Sequence, residues 1–257
     1  MKSIIYTEWL KVKTYRTFWL MALLMLVVIP AGNMILVNVI SNNLKQVSTM
    51  LGNPFNFPDL WQTMASFDSY VSPLPGFLLI ILITNEYTYR TNRQNIIDGW
   101  ERKEFVISKL FWLFLLALAN LLVATISALV VGLTSGDKPL NFAGYEYMIY
   151  YGLQVLVTLT IAMVIAVFAK RAGLSIIIFA AYLMMGDQLL SFLGKKYLGK
   201  VGGLLPIQSG DELLPFPLVG KLTTVEKYES IVYIIAILVY IFLGIWLVFR
   251  KVLKSDL

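Results

Sequence analysis

The chain has 257 residues, of which 58% are hydrophobic and 14% charged, and its mean hydropathy is +0.75. Soluble domains are about 45–50% apolar and about 25% charged, so this chain is predicted to be a membrane protein. It contains no Cys and no His, which excludes disulfides, sulfur-based metal sites, His-based catalytic triads and haem ligation by His. The net charge of +6 indicates no nucleic-acid partner, because the basic residues cluster beside apolar runs.

Six segments are apolar and long enough to cross about 30 Å of hydrocarbon, which predicts an all-α, polytopic membrane protein with six transmembrane helices. The second segment contains Pro73, Pro75 and Gly76, so it is predicted as a span with an irregular outer end packed against protein. The predicted spans are residues 18–40, 69–84, 111–133, 148–169, 174–193 and 231–249, within a single domain of residues 1–257.

The distribution of Lys and Arg predicts the orientation, since positive residues are retained on the cytoplasmic side. With the N-terminus inside, the cytoplasmic segments hold fourteen Lys and Arg and the outer segments hold seven. Both termini are therefore predicted to be cytoplasmic.

Residues 1–17 have the pattern of a helix that lies in the membrane interface. The apolar side chains that fall near one face at helical spacing are Ile5, Tyr6, Trp9 and Val12. The basic side chains that fall on another face are Lys2, Lys11, Lys13 and Arg16. This arrangement is typical of an interfacial amphipathic helix, and a basic topology anchor with no further role is the alternative.

Two segments on the predicted outer side carry helix-breaking residues. Residues 41–68 combine Pro54 and Pro58 with aromatic side chains, which predicts a cap seated at the interface. Residues 194–230 hold apolar pieces among glycines and prolines. Such backbone can enter the membrane only where other protein covers it, so this segment is predicted to be a re-entrant hairpin that closes the outer end. An ordinary surface loop is the alternative.

The loop of residues 85–110, between the second and third spans, is the most informative stretch. It is predicted to form a short helix that ends at Asp98-Gly99, where Gly supplies the left-handed conformation. The apolar pair Ile96-Ile97 on this helix faces no membrane. Such a pair, flanked by polar residues, suits a groove on a partner protein, and a helical hairpin with a solvated tip is the alternative.

This loop resembles that of the type-2 ABC exporter permeases. The residues that match the family pattern are Glu86, Thr91, Arg93, Gly99, Arg102, Phe105 and Lys109. The six spans and the interfacial N-terminal helix are also similar, whereas Asp98-Gly99-Trp100 stands where the family often has Pro. The resemblance implies that the loop is a coupling helix that docks into a cleft on a separate ATPase subunit. The implied contacts are Arg90, Arg93, Gln94, Asn95, Ile96, Ile97, Asp98, Gly99 and Arg102.

The sequence has no GxxxxGK[ST] motif, so ATP and Mg²⁺ are expected on the partner ATPase and no cofactor is expected in this chain. The resemblance implies a non-catalytic permease subunit of an ATP-driven exporter in a bacterial plasma (inner) membrane, paired with a second copy or a paralogue. A largely apolar interior suits an amphipathic or hydrophobic substrate. A non-transporting membrane scaffold or sensor is the alternative function. An intramembrane enzyme is disfavoured, because His is absent and Asp187 is the one acidic residue inside a predicted span.

Polar residues inside the predicted spans are candidates for a substrate pathway or gate. Asp187 lies in the fifth span beside Gln188, where an ionised carboxylate at mid-bilayer costs at least about 2.5–3.5 kcal/mol. Asn33 and Asn38 lie in the first span and, with Gln188, are candidate hydrogen-bond donors to Asp187, with water as the other possible partner. The alternatives are an Asp187 hydrated at the outer interface and first-span residues that serve helix packing.

Overall fold

The structure, a computed structural model, describes residues 2–43, 52–217 and 227–254. Helices form the regular structure of these ranges, and no strand occurs in them. The α-helices, numbered in chain order, are α1 (Lys2–Lys13), α2 (Arg16–Asn43), α3 (Asp59–Asp68), α4 (Pro73–Thr88), α5 (Thr91–Ile97), α6 (Arg102–Ser135), α7 (Glu146–Ala169), α8 (Ala172–Ala181), α9 (Asp187–Leu198), α10 (Pro206–Leu213) and α11 (Ser230–Lys254). Two 3-10 segments, Ser69–Val71 and Gly199–Leu204, and a π-helical turn, Tyr182–Gly186, lie between successive helices.

Six helical segments are long and apolar enough to cross a membrane, which confirms the all-α fold with six transmembrane helices. They are Arg16–Asn42, Asp59–Thr88, Arg102–Ser135, Glu146–Ala169, Ala172–Leu204 and Ser230–Lys254. The third segment begins well before the apolar run because a capping box starts α6. The Glu101 side chain accepts a hydrogen bond from the Glu104 backbone N–H, and Glu104 Oε2 accepts one from the Glu101 backbone N–H at 2.9 Å.

The second span starts earlier than the sequence predicts. Residues 59–68, predicted as part of an outer cap, form α3 and continue through a 3-10 turn into α4. Leu60, Trp61 and Met64 are fully buried, and Trp61 Nε1 donates to the Asn141 carbonyl at 2.8 Å. These aromatic and aliphatic side chains therefore pack inside the bundle and do not seat a cap at the interface. Residues 44–51 of the predicted cap lie outside the described residues.

The fifth span is longer than predicted and is not a uniform helix. It runs through α8, the π-helical turn, α9 and a 3-10 segment. In the π-helical turn, the Asp187 N–H bonds to the Tyr182 carbonyl, five residues earlier. The chain then turns at Pro206 into α10, which packs against α7 and α11.

The fourth span, α7, lies at the centre of the bundle and contacts α3, α4, α6, α8, α10 and α11. Close packing on it uses small residues: a Cβ on Gly244 of α11 would clash with Cγ2 of Thr160 on α7. In the most apolar part of each span, 56% of residues are buried in the second and fourth spans but 17% in the first and fifth. The first and fifth spans are therefore peripheral and present apolar surface outward.

The two ends of the bundle differ in charge. One end, which we call the basic face, gathers α1, α5, the ends of α4, α7 and α11, and the start of α6. Arg102 Nη1 donates to the Leu253 carbonyl at 2.9 Å, and Lys170 Nζ lies 5.3 Å from the Tyr87 ring centroid. The opposite face holds the start of α3, the α6–α7 loop, the end of α9 and α10, and Gln62 Nε2 joins α3 to the Pro215 carbonyl at 2.7 Å.

Candidate functional site

The loop on the basic face contains a short helix between two left-handed residues. Arg90 has φ 56° and precedes α5, and Gly99 has φ 98° and follows it. The Trp100 N–H donates to the Asn95 carbonyl at 2.9 Å and closes the end of the helix. The predicted short helix that ends at Asp98-Gly99 is therefore present.

The side chains of α5 divide into an outward and an inward set. Ile97 is 77% exposed, and Arg93 and Gln94 are exposed beside it. Asn92 and Asn95 are buried against the bundle. The outward surface, which we call the loop tip, consists of Arg90, Arg93, Gln94, Ile97, Asp98 and Gly99.

Three of the residues implied as partner contacts do not lie on the exposed loop tip. Asn95 is 7% exposed and points inward, and Ile96 is half-buried, so the apolar pair is split between the two sides of the helix. Arg102 is half-buried and holds the end of α11 through the Leu253 carbonyl. The loop tip is thus a single exposed aliphatic residue surrounded by polar groups.

Directly beside the loop, four charged side chains form a compact group that we call the charge cluster: Glu8, Lys11, Glu86 and Lys109. Lys109 Nζ lies 2.5 Å from Glu86 Oε1 and 3.0 Å from Glu8 Oε2. Lys11 Nζ bridges the same two carboxylates at 2.8 Å and 3.0 Å. Trp112 Nε1 also donates to Glu8 Oε2 at 2.9 Å. The cluster links α1 to the end of α4 and the start of α6.

The charge cluster is buried, and its two acids balance its two lysines. The Lys109 side chain is 2% exposed and the Glu8 side chain 3% exposed. Burial by itself raises the pKa of Glu8, but the charges of Lys109 and Lys11 outweigh it and lower this pKa from about 4.5 to about 2. Because the folded pKa lies below the unfolded value, the stability that Glu8 contributes is complete above about pH 4.5 and is lost as the pH falls towards 2.

Glu8 is the residue of this cluster that the sequence reasoning missed. The predicted apolar face of α1 held Ile5, Tyr6, Trp9 and Val12, and of these Val12 is buried whereas the other three side chains are exposed. The side that packs on the bundle is instead the stripe Ile4, Glu8 and Val12. Glu8 is the one acidic residue among the first sixteen, at four-residue spacing between two aliphatic residues, and that pattern could have marked it.

The four predicted pathway residues do not come together. Asn33 is fully buried, and its amide donates to Ser127 Oγ at 2.9 Å and contacts Asp68 Oδ2 at 3.5 Å. Asn38 and Gln188 are exposed. The cluster of Asn33, Asp68 and Ser127 joins the first three spans, and Asp68, like Asp187, is a buried acid inside a span.

Asp187 is buried, but the predicted donors Asn33, Asn38 and Gln188 are wrong. Asp187 Oδ1 accepts from Tyr182 Oη at 2.7 Å, and its Oδ2 accepts from the Gln208 N–H at 3.0 Å. The Ile207 N–H also approaches Oδ1 at 3.4 Å. The carboxylate therefore sits at the N-terminal end of α10, where free backbone N–H groups favour a negative charge.

A family model described as ABC-2 family transporter protein matches residues 4–186, which is more than half of the chain. The chain belongs to the ABC-2 transporter family. It is accordingly a membrane permease component of an ABC transporter. A search of curated proteins returned no match.

The matched part of this ABC-2 permease includes the charge cluster, the loop tip and the Asn33–Asp68 contact, and it ends at the π-helical turn. Asp187 and α10 follow the matched part. The attachment of α10 by Asp187 thus lies outside the matched residues.

Replacing Asp187 by Ala is expected to loosen α10 without disturbing the spans. The loss of a carboxylate at the start of a helix costs about 0.5–2 kcal/mol, so the amides of residues 207–213 should exchange with deuterium roughly 2- to 30-fold faster. Hydrogen–deuterium exchange with mass spectrometry measures this directly. Gln188→Ala is the matched control, because Gln188 is exposed and adjacent. Equal protection of α10 in both variants would contradict the capping role of Asp187.

Proposed function

We propose that this ABC-2 permease is the membrane-spanning subunit of an ATP-driven exporter, with ATP hydrolysed by a separate ABC ATPase that docks on the loop tip from the cytoplasm. The sequence has no phosphate-binding GxxxxGK[ST] motif, so ATP and Mg²⁺ would bind to that partner. The basic face is cytoplasmic in this proposal, which agrees with the fourteen Lys and Arg that belong to its elements.

The observation that carries the proposal is the exposed side of α5. An aliphatic side chain that is 77% exposed on a rigid helical tip, with Arg93 and Gln94 beside it, is a surface that suits a protein groove. The tip is held firmly, because Asn92 and Asn95 are buried and the Trp100 N–H closes the helix. A rigid tip can transmit a displacement of the ATPase without being deformed by it.

The charge cluster provides the connection from the tip to the membrane. Glu86 ends the second span and Lys109 begins the third, and both are bonded to Glu8 or Lys11 of α1. A movement of the loop would therefore move α1 and the two spans together. ATP binding by the partner would bias the spans between inward- and outward-facing arrangements in this way.

A second permease, either another copy or a paralogue, would complete the transporter. The first and fifth spans are peripheral, and 17% of their most apolar residues are buried, so they offer surface for a second subunit and for lipid. An amphipathic or hydrophobic substrate is consistent with these apolar surfaces. The membrane would be a bacterial plasma (inner) membrane.

The segment of residues 194–230 would close the outer end as a re-entrant element. Its described part contains the end of α9, a 3-10 segment and α10. Glu212 bonds Lys195 at 2.6 Å and Lys227 at 2.8 Å. These ion pairs favour a folded lid that packs on the bundle, in contrast to a free surface loop. Residues 218–226 of this segment lie outside the described residues.

The proposal is tested by purifying the tagged chain from its native membrane in mild detergent and identifying the proteins that accompany it. We expect a Walker-motif ATPase in the complex, and ATP hydrolysis that depends on the permease. A complex that contains the permease but hydrolyses no ATP, with no ATPase subunit detected by mass spectrometry, would overturn the proposal.

The orientation is tested with single cysteines, which the Cys-free sequence makes simple. Ile97 on the loop tip is 77% exposed, and Tyr197 near the end of α9 is 73% exposed on the opposite face. We expect an impermeant thiol reagent added to intact cells to label Tyr197→Cys and to leave Ile97→Cys unlabelled until the cells are opened. The reverse pattern would invert the predicted topology.

A further inference from the structure

A pocket of about 320 Å³ lies at the basic face beside the end of α11. Its lining has two parts. Phe168 at the end of α7 and Leu247 of α11 supply an apolar floor, and three cations, Arg250, Lys251 and Lys254, surround it. The lining contains no acidic residue.

The three cations have no acidic partner within the described residues. The Arg250 guanidinium lies 5.2 Å from the Trp246 ring centroid, and Lys251 Nζ lies 5.3 Å from that of Phe168. Cation–π contacts of this kind fix the positions of the charged groups without neutralising them. Among the residues that the structure describes, the pocket is thus a site of positive charge that no acidic side chain neutralises, and aromatic rings hold two of its three cations.

The pocket lies at the level where α11 leaves the membrane. α11 has 25 residues and is therefore about 37 Å long, whereas the hydrocarbon layer is about 30 Å thick. Its last turn reaches the headgroup region, and the bond from Arg102 to the Leu253 carbonyl holds that turn in place.

We propose that this pocket binds the phosphate headgroup of an anionic phospholipid, with Phe168 and Leu247 against the start of its acyl chains. A basic pocket between transmembrane helices at headgroup depth is suited to such lipids. A free phosphate ion would use the three cations but would gain nothing from the apolar floor. The phospholipid uses both parts of the lining, and the proposal does not depend on the exporter function.

The test compares retention of phosphatidylglycerol and phosphatidylcholine by the purified full chain, measured by native mass spectrometry in detergent. The wild-type protein is expected to retain phosphatidylglycerol selectively. The variant Arg250→Gln, Lys251→Gln, Lys254→Gln is expected to lose roughly a hundredfold in that selectivity. The matched control removes three other cations of the same face, with Lys13→Gln, Arg16→Gln and Lys103→Gln, and should keep most of the selectivity.

A second variant separates a built site from general electrostatic attraction. Phe168→Ala leaves every charge in place but removes the floor under Lys251, and it is expected to weaken phosphatidylglycerol retention about tenfold. Equal loss of selectivity in the pocket variant and in the charge-matched control would overturn the proposal. Displacement of the lipid by millimolar inorganic phosphate, with Phe168→Ala unchanged, would also overturn it in favour of a simple anion site.

Discussion

Lys109→Met is expected to destabilise the folded permease more than any other single change on the basic face. It leaves the Glu8 and Glu86 carboxylates, which are buried, with Lys11 as the one remaining cation of the cluster. Removal of one partner from a buried ion pair costs about 3–5 kcal/mol, a large part of the usual stability of a folded protein. The measurements are the yield of monodisperse protein in detergent and the midpoint of thermal unfolding.

Two further variants identify the cause of that loss. Lys103→Met removes a lysine from the same helix, but its ion pair with Glu101 is exposed on both sides, at 58% and 65%, so the midpoint of thermal unfolding should stay close to that of the wild type. Adding Glu86→Gln to Lys109→Met removes one of the uncompensated charges and should recover part of the stability. If Lys109→Met unfolds at the same temperature as Lys103→Met, the charge cluster does not stabilise the fold.

Ile97→Asp and Arg93→Glu are each expected to abolish co-purification of the ATPase. The first puts a charge into the apolar centre of the proposed contact, and the second reverses a charge at its edge. A central interface residue commonly contributes 2 kcal/mol or more, which corresponds to a loss of affinity of roughly 30-fold or greater. Both side chains are exposed in the isolated chain, so folding should be unaffected.

The matched controls place the same changes on the opposite face. Tyr197→Asp introduces a carboxylate at a position that is 73% exposed, and Lys138→Glu reverses an exposed charge. The ATPase should accompany both controls at the wild-type yield. Recovery of the ATPase at that yield with Ile97→Asp and Arg93→Glu would exclude the loop tip as the docking element, even if an ATPase partner exists.

Hydropathy predicted the six spans well because five of them are continuous apolar runs. It failed at the start of the second span, where α3 contains Gln62, Thr63, Ser66 and Asp68. These polar side chains lower the local hydropathy, yet Thr63, Ser66 and Asp68 are buried against protein and never face lipid. The acid at Asp68 was missed for the same reason, since the predicted span began one residue after it.

The candidate site was only partly predictable because its decisive contacts are long-range. The turn at Gly99 is a local signal and was found from the sequence. Glu8, Glu86 and Lys109 are brought together by three different helices, and no local pattern specifies that meeting. The side of α1 that packs on the bundle was not predicted, because its exposed side and its packed side both carry apolar residues, and Glu8 is what distinguishes them.

The π-helical turn determines the direction in which the side chains after it in the fifth span point. Tyr182 and Asp187 are five residues apart, and their side chains are bonded to each other. In a regular α-helix, two side chains five residues apart would point about 140° away from each other. Deleting one residue of the turn, such as the exposed Met184, would restore an α-helical period and rotate α9 by about 100°. The Asp187 carboxylate would then face away from the start of α10, so one extra residue in the turn determines which side of the fifth span carries the attachment of the outer segment.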